Sequence, residues 1–168
     1  MLGSPEARIG RDFLRERGFA SPEAKLFGIG YAPAGFSALK DALGKDDARR
    51  VAVLEKVGLL SKNDRGHSYD KFRDRVIFPI HDRRGRPIAF GGRVLDPEDS
   101  PKYLNSPETP LFHKGRELYG LWQVRQAQQK IARLIVVEGY MDVVALFQHG
   151  LREAVATLGT ATTADHAE

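Results

Sequence analysis

Residues 133–160 read RLIVVEGYMDVVALFQHGLREAVATLGT, and the fold turns on them. Leu134-Ile135-Val136-Val137 is a short unbroken apolar run rich in β-branched residues. That pattern predicts a strand buried on both faces, as in a parallel sheet. The run stops at Glu138-Gly139. Met141 to Gln148 then has helical length, with Asp142 in the first turn, where a carboxylate complements the helix dipole, and Gly150 where a C-cap glycine belongs. Ala154 to Leu158 is a second strand, closed by Gly159-Thr160. The unit is β-α-β, and a crossover helix makes its two strands parallel.

Glu138 is the informative residue. A carboxylate at the carboxyl end of a parallel strand faces the crevice in which open α/β sheets bind ligands. Gly139 leaves room for backbone or ligand to approach. From this stretch alone a second reading stands beside the first: a solvated carboxylate at the sheet edge, paired with an arginine and chemically idle.

A chain of 168 residues suits one domain or two small packed subdomains. No apolar run approaches the ~20 residues needed to cross a bilayer, and MLGSPEAR lacks the apolar core of a signal peptide. There is no cysteine, which excludes disulfides and any cysteine-bound zinc within these residues; the expected compartment is the cytoplasm. Net charge is +4, and its distribution matters more than its size. Between Lys62 and Arg93 nine basic residues face four acids, an excess of five, more than the charge of the whole chain. Such a concentration fits a polyanionic partner, with nucleic acid first in line, or a solvated hairpin kept soluble by its arginines.

Upstream, Pro5 to Arg17 is expected as a helix with Ile9, Phe13 and Leu14 on one face, and Ser21-Pro22-Glu23 as an N-cap with proline at the first helical position. Two short amphipathic helices follow at Phe36–Leu43 and Ala48–Val57. Asn63-Asp64-Arg65-Gly66 marks a turn. Val76–Ile80 and Pro87–Phe90 are strands joined by Asp82-Arg83-Arg84-Gly85-Arg86 as a tight hairpin, with Pro79 placing the first at an edge or a bulge. Gly91-Gly92 is expected to break the second strand, as a bulge or a point of close approach for a ligand. Residues 95–115 hold four prolines and form a loop pinned by Tyr103, Leu104, Leu111 and Phe112. That loop carries Lys102, Asn105 and Lys114 towards Glu138. A helix over Leu118–Ala132 leads into the central strand, with Tyr119 and Trp122 on one core-facing side.

The segments VVEGYMDVVALFQHG and AVATLGTATTADH resemble the opening half of a TOPRIM module, the metal-binding catalytic unit of primases and topoisomerases. With SYDKFRDRVIFPIHDRRGRPIAFGGRVL and PKYLNSPETPLFHKGRELYGL, the resemblance narrows to bacterial replicative primases of the DnaG type and covers nearly the whole chain. It implies an α/β protein: an α+β N-terminal subdomain over residues 1–116, then a connecting helix and the first β-α-β half of a TOPRIM fold over 117–168. The implied activity is DNA-directed RNA polymerisation, making short RNA primers on single-stranded DNA. Glu138 becomes a metal ligand or general base for Mg²⁺ or Mn²⁺. Arg75, Arg93, Lys102, Asn105 and Lys114 become candidates for nucleotide phosphates or template. Such a division of labour suits phosphoryl transfer, which needs positioning and charge neutralisation more than covalent chemistry.

The family pattern also includes an Asp-x-Asp pair on a later TOPRIM strand, which these residues do not contain, so the fragment alone is expected to be inactive. Asp165-His166 is expected to open a helix, not to bind metal. The resemblance places zinc in a separate N-terminal module, the replicative helicase on a separate C-terminal one, and the protein at the replication fork in the nucleoid, off the membrane. There is no G-x-x-x-x-G-K-[ST] and no G-x-S-x-G, and five scattered histidines lack metal-ligand spacing. Two alternatives stand beside the polymerase core. One is a non-catalytic single-stranded nucleic-acid-binding module using the basic hairpin. The other is a different TOPRIM enzyme, a nuclease or a topoisomerase.

Overall fold

The computed structural model describes residues 2–128, 130–159 and 161–166. A 3-10 turn at Pro5–Ala7 leads into α1 (Arg8–Glu16), and α2 (Ser21–Leu26) follows the reversal at Gly18, where φ is 77°. Phe13 and Leu14 are buried, but Ile9 is 60% exposed. The contact falls instead on Gly10, whose missing side chain admits Tyr31 to 3.2 Å from where a Cβ would stand. Ser21 does not cap α2 through its side chain. The preceding amide, that of Ala20, donates to Oε1 of Gln148 at 2.8 Å and ties the N-terminal helices to the far end of the chain.

β1 (Gly30–Ala32) comes next. The helix expected over Phe36–Leu43 is mainly a wide π-type turn at Lys40–Gly44, and Phe36 is exposed. The buried Asp70 carboxylate explains its start, accepting the amides of Leu39 (2.7 Å) and Lys40 (2.9 Å). α3 (Ala48–Lys56) is capped by Asp47, which accepts from the amides of Arg49 and Arg50. β2 (Leu60–Lys62) and β3 (Ser68–Asp70) form a hairpin about the predicted Asn63 turn.

The larger sheet is antiparallel, in the order β1, β4 (Arg75–His81), β5 (Pro87–Val94), β6 (Tyr103–Asn105). At the β4–β5 turn the Asp82 carboxylate accepts the amides of Arg84 (2.8 Å) and Arg86 (3.0 Å). Pro79 sits where its sequence signal allows: β1 pairs only with Arg75–Ile77, so its missing N–H lies past the end of that strand. Gly91 and Gly92 do not break β5. They pair in register with Phe78 and Ile77, and the strand continues to Val94. Their purpose is close packing of the protein's own rings, described below.

α4 (Leu121–Ala127) is shorter than the helix expected over 118–132, of which Gln129 lies outside the described residues. Gly120, at φ 87°, starts it, and Tyr119 is not helical: its amide and carbonyl bridge those of Ala156 at 2.9 and 3.0 Å. β7 (Ile135–Val137), α5 (Tyr140–Gln148) and β8 (Ala154–Ala156) form the predicted unit, with parallel strands and Gly150 in the left-handed conformation after α5. The expectation that the first strand is buried on both faces does not hold. β8 is wholly buried, bounded by β7 and Tyr119, whereas Val136 of β7 is 48% exposed and Leu134 also reaches solvent. Successive strand residues face opposite ways, and among the described residues nothing covers the outer face of β7. Thr160, expected in the closing turn, lies outside the described residues.

Rings join the larger sheet to the β-α-β unit. Phe78 of β4 stacks on Tyr140 of α5 (5.4 Å between centroids), Tyr140 meets Tyr119 edge-on (4.8 Å), and Phe27 packs on Tyr119 and Phe147. Such pairs each contribute about 0.5–1.5 kcal/mol beyond their buried area, so this cluster fixes how the two sheets meet. Among the described residues no helix is long and apolar enough to cross a membrane.

Candidate active-site crevice

β7 and β8 both end at one rim, and the chain leaves them as Glu138-Gly139 and Thr157–Gly159. Val136, Val137, Glu138, Thr157, Gly159, Ala161 and Thr162 line an open crevice of about 400 Å³ there. This is the place a parallel pair predicts. Glu138 is exposed, and among the described residues it has neither an ion pair nor a hydrogen bond, so its carboxylate is available. Asp142 lies in the first turn of α5, with Oδ2 3.0 Å from where a Cβ on Gly139 would stand, as its helix-dipole role requires. The hard oxygens of Glu138, Thr157 and Thr162 suit a cation such as Mg²⁺. They supply only part of its shell: no group of three metal-ligating side chains occurs among the described residues.

Asn105 reaches this rim from β6. Its Nδ2 donates to the Leu158 carbonyl at 3.3 Å, and its Oδ1 accepts from the Tyr140 hydroxyl. One side chain thus ties the last strand of the larger sheet to the mouth of the crevice. Sequence patterning singled out Asn105 but not Tyr140, whose ring lies against Gly91 so closely that any side chain there would overlap it. At Gly92 a Cβ would stand 2.9 Å from Phe72 and 3.0 Å from Cδ of Arg75. The paired glycines were the available signal. They admit rings of the protein, not a ligand.

The arginines separate. Arg75 is only 6% exposed, and its Nη1 donates to the Pro101 carbonyl at 2.8 Å, holding the proline-rich loop against β4. Burial pushes its guanidinium down from the usual arginine range. Arg93 lies over the Tyr103 ring at 4.9 Å, with Nε and Nη1 buried and unpaired. Unpaired buried donors cost about 1–3 kcal/mol each, and in this conformation the two atoms are closed to an outside ligand.

Lys102 continues the β5–β6 pairing through its carbonyl, which accepts from Val94 at 3.2 Å, and its exposed ammonium has no ion pair among the described residues. Lys114 also lacks one. Its amide donates to Glu108 at 2.9 Å, and its carbonyl faces Nε2 of His166. Burial, and then the charge of Lys114, push the Lys71 ammonium down, so two cations share one neighbourhood. Of the anticipated loop anchors Phe112 is fully buried and Leu104 half-buried, while Tyr103 and Leu111 are exposed. Backbone pairing by Tyr103–Asn105 and the buried Ser106, which exchanges bonds with Phe90, supply the rest of the fixing. No ion pair links Glu138 to Lys102 or Lys114; the open crevice lies at the carboxylate.

A model of the DNA primase catalytic core, N-terminal domain, matches residues 1–125, and a Toprim domain model matches residues 132–168. The chain is 54% identical to a DNA primase of Pseudomonas aeruginosa over 162 residues, 96% of this chain and 24% of that protein. It is 53% identical to a DNA primase of Escherichia coli over 165 residues, 98% of this chain and 28% of that one. Among solved structures it is similar to the E. coli primase catalytic core, with a TM-score of 0.93 and 53% identity over 98% of this chain and 52% of that chain. A DnaG primase catalytic domain bound to single-stranded DNA gives 0.92 and 53%, covering 98% and 53%. A primase of Aquifex aeolicus comprising zinc-binding and RNA polymerase domains gives 0.84 and 38%, covering 99% and 40%. The chain therefore spans about a quarter of the length of the curated relatives it matches.

Proposed function

This chain belongs to the DNA primase catalytic-core family, and we propose that it is part of a DNA-directed RNA polymerase that makes RNA primers on a single-stranded DNA template. One observation carries the reading: the carboxylate of Glu138, unpaired among the described residues, opens into a crevice at the ends of two parallel strands, with Asn105 of the larger sheet bonded at its rim. Glu138 would hold Mg²⁺ or Mn²⁺, and a bound divalent ion neutralises phosphate charge during nucleotidyl transfer. Lys102 and Lys114 offer ammonium groups with no ion pair among the described residues for triphosphate oxygens. Arg93, stacked over the Tyr103 ring, adds positive charge on the neighbouring strand, and Asn105 sets the rim. Arg75 acts by securing the loop that carries Lys102. Residues 1–116 form the basic subdomain and 117–168 the Toprim part. Ribonucleoside triphosphates and single-stranded DNA are the substrates; helicase contact and a zinc module belong to other parts of the protein. The site of action is the replication fork in the bacterial cytoplasm.

With a single carboxylate lining the crevice among the described residues, these 168 residues alone should bind nucleotide without polymerising. Calorimetry with ATP tests the first half: binding should require Mg²⁺ and be lost in Lys102→Ala. Incubation with Mg²⁺, ribonucleotides and single-stranded template tests the second, and robust dinucleotide formation would refute it. Salt-sensitive DNA binding indifferent to nucleotide and to Mg²⁺ would instead support a non-catalytic binding module.

A further inference from the structure

Asp165-His166 is expected only to open a helix, and the structure gives the surrounding segment Thr163–His166 a further contact. It forms a 3-10 turn at Ala164–His166 that grips the loop bearing Lys114. Nδ1 of His166 lies 3.0 Å from the Thr163 amide, which can only donate to it. Nε2 lies 3.0 Å from the Lys114 carbonyl, which can only accept. One species meets both conditions: the neutral imidazole with its hydrogen on Nε2. The Thr163 hydroxyl donates to the Gly115 carbonyl at 2.6 Å, and Arg116 pairs with Asp165 at 3.0 Å. The last pair is exposed and contributes little, so the hold rests on Thr163 and His166.

The other backbone group of Lys114 is also taken by a side chain, its amide donating to Glu108. Glu108 is itself steadied by Nδ1 of His113 at 3.1 Å. Both peptide groups flanking this lysine are therefore fixed, one by the loop and one by the Toprim part, while its ammonium has no ion pair among the described residues. A loop that needed only stability would gain as much from bonds anywhere along it. Bonds concentrated on Lys114 and Gly115 fix the direction from which one free cation leaves the backbone.

We propose that Thr163–His166 is a clasp by which the Toprim part orients Lys114 towards a phosphate, with His166 acting as a positioning residue. The proposal rests on the nucleotide reading above and deepens it. It makes the N-terminal subdomain's lysine dependent on a side chain some fifty positions later.

The test is a double-mutant cycle on the 168-residue chain, with Mg-ATP affinity measured by calorimetry and amide hydrogen exchange followed at Lys114–Arg116. His166→Ala should weaken ATP binding about tenfold and speed exchange at those amides. His166→Gln, whose amide can accept from Thr163 and donate to Lys114, should restore affinity to within about twofold. In a Lys114→Ala background, His166→Ala should have no further effect, because the clasp acts through that lysine. Additive losses, no rescue by glutamine, or unchanged exchange in His166→Ala would overturn the clasp. Loss of ATP binding in Lys114→Ala but not in His166→Ala would overturn the clasp and leave the nucleotide reading standing. No ATP binding by the unaltered chain would overturn both.

Discussion

The hydroxyl of Tyr140, at the start of α5, donates to Oδ1 of Asn105 in β6, and Nδ2 of the same asparagine donates to the Leu158 carbonyl beyond β8. The bond crosses from the β-α-β unit to the larger sheet. It couples the packing of one ring to the shape of the crevice mouth. Burial pushes the Tyr140 phenol above its usual range, with the Asn105 hydrogen bond opposing, so it stays a protonated donor at neutral pH. Tyr140→Phe keeps the ring stack on Phe78 and removes the bond. It should lower unfolding free energy by about 1 kcal/mol in urea melts and loosen the Asn105 side-chain amide in NMR exchange.

Gly91→Ala meets the same ring from the other side. The added methyl would overlap Tyr140, which is stacked on Phe78 and wedged edge-on against Tyr119 and cannot swing away cheaply. A loss of about 1–3 kcal/mol is expected, as for overpacked cores, together with altered near-ultraviolet circular dichroism. Gly3→Ala, where nothing lies within 4 Å of an added Cβ, serves as the control.

Asp70→Asn should be costly although it changes one atom. The buried carboxylate accepts two amides, from Leu39 and Lys40, through both oxygens. An amide offers one acceptor, leaving an N–H facing an N–H, for a loss of about 1–3 kcal/mol. Exchange protection should drop first at Leu39 and Lys40.

Glu138→Gln should leave stability within about 0.5 kcal/mol, since the side chain is exposed and bonded to nothing among the described residues. Mg²⁺-dependent ATP affinity should fall in the same variant. Affinity lost without any change in the melting curve separates a site role from a structural one.

Stability should decline in mild acid through His81. Burial holds its imidazole below the ordinary range, with Asp82 opposing, and Nδ1 lies 3.4 Å from the Gln123 amide nitrogen. A depressed folded value means the unfolded chain takes the proton first. The contribution is therefore complete above about pH 6.5, the ordinary imidazole value, and is lost as pH falls through the folded one. Urea midpoints at pH 7.5 and pH 5.5 should converge in His81→Gln relative to the unaltered chain.

Much of this protein is local enough to read from residue order. Apolar, β-branched runs about a tight turn mark the β4–β5 hairpin, whereas for β2 and β3 only the Asn63 turn is legible; a short apolar run followed by Glu-Gly and a stretch of helical length marks the β-α-β unit, and Glu138 emerges where a parallel strand must end. These signals depend on neighbours within a few positions, so they survive without coordinates. The tertiary structure alone decided what depends on contact across the chain. Arg75 and Arg93 look alike as basic residues in adjacent strands, yet one is spent on a loop carbonyl and the other keeps unpaired donors. Gly91 and Gly92 read as a break because periodicity records no partner, whereas the ring of Tyr140, some fifty residues on, requires Gly91 to lack a side chain, and Phe72 and Arg75 require the same of Gly92. Val136 was read as buried because composition reports apolarity, not coverage, and burial depends on which other segment packs against each face.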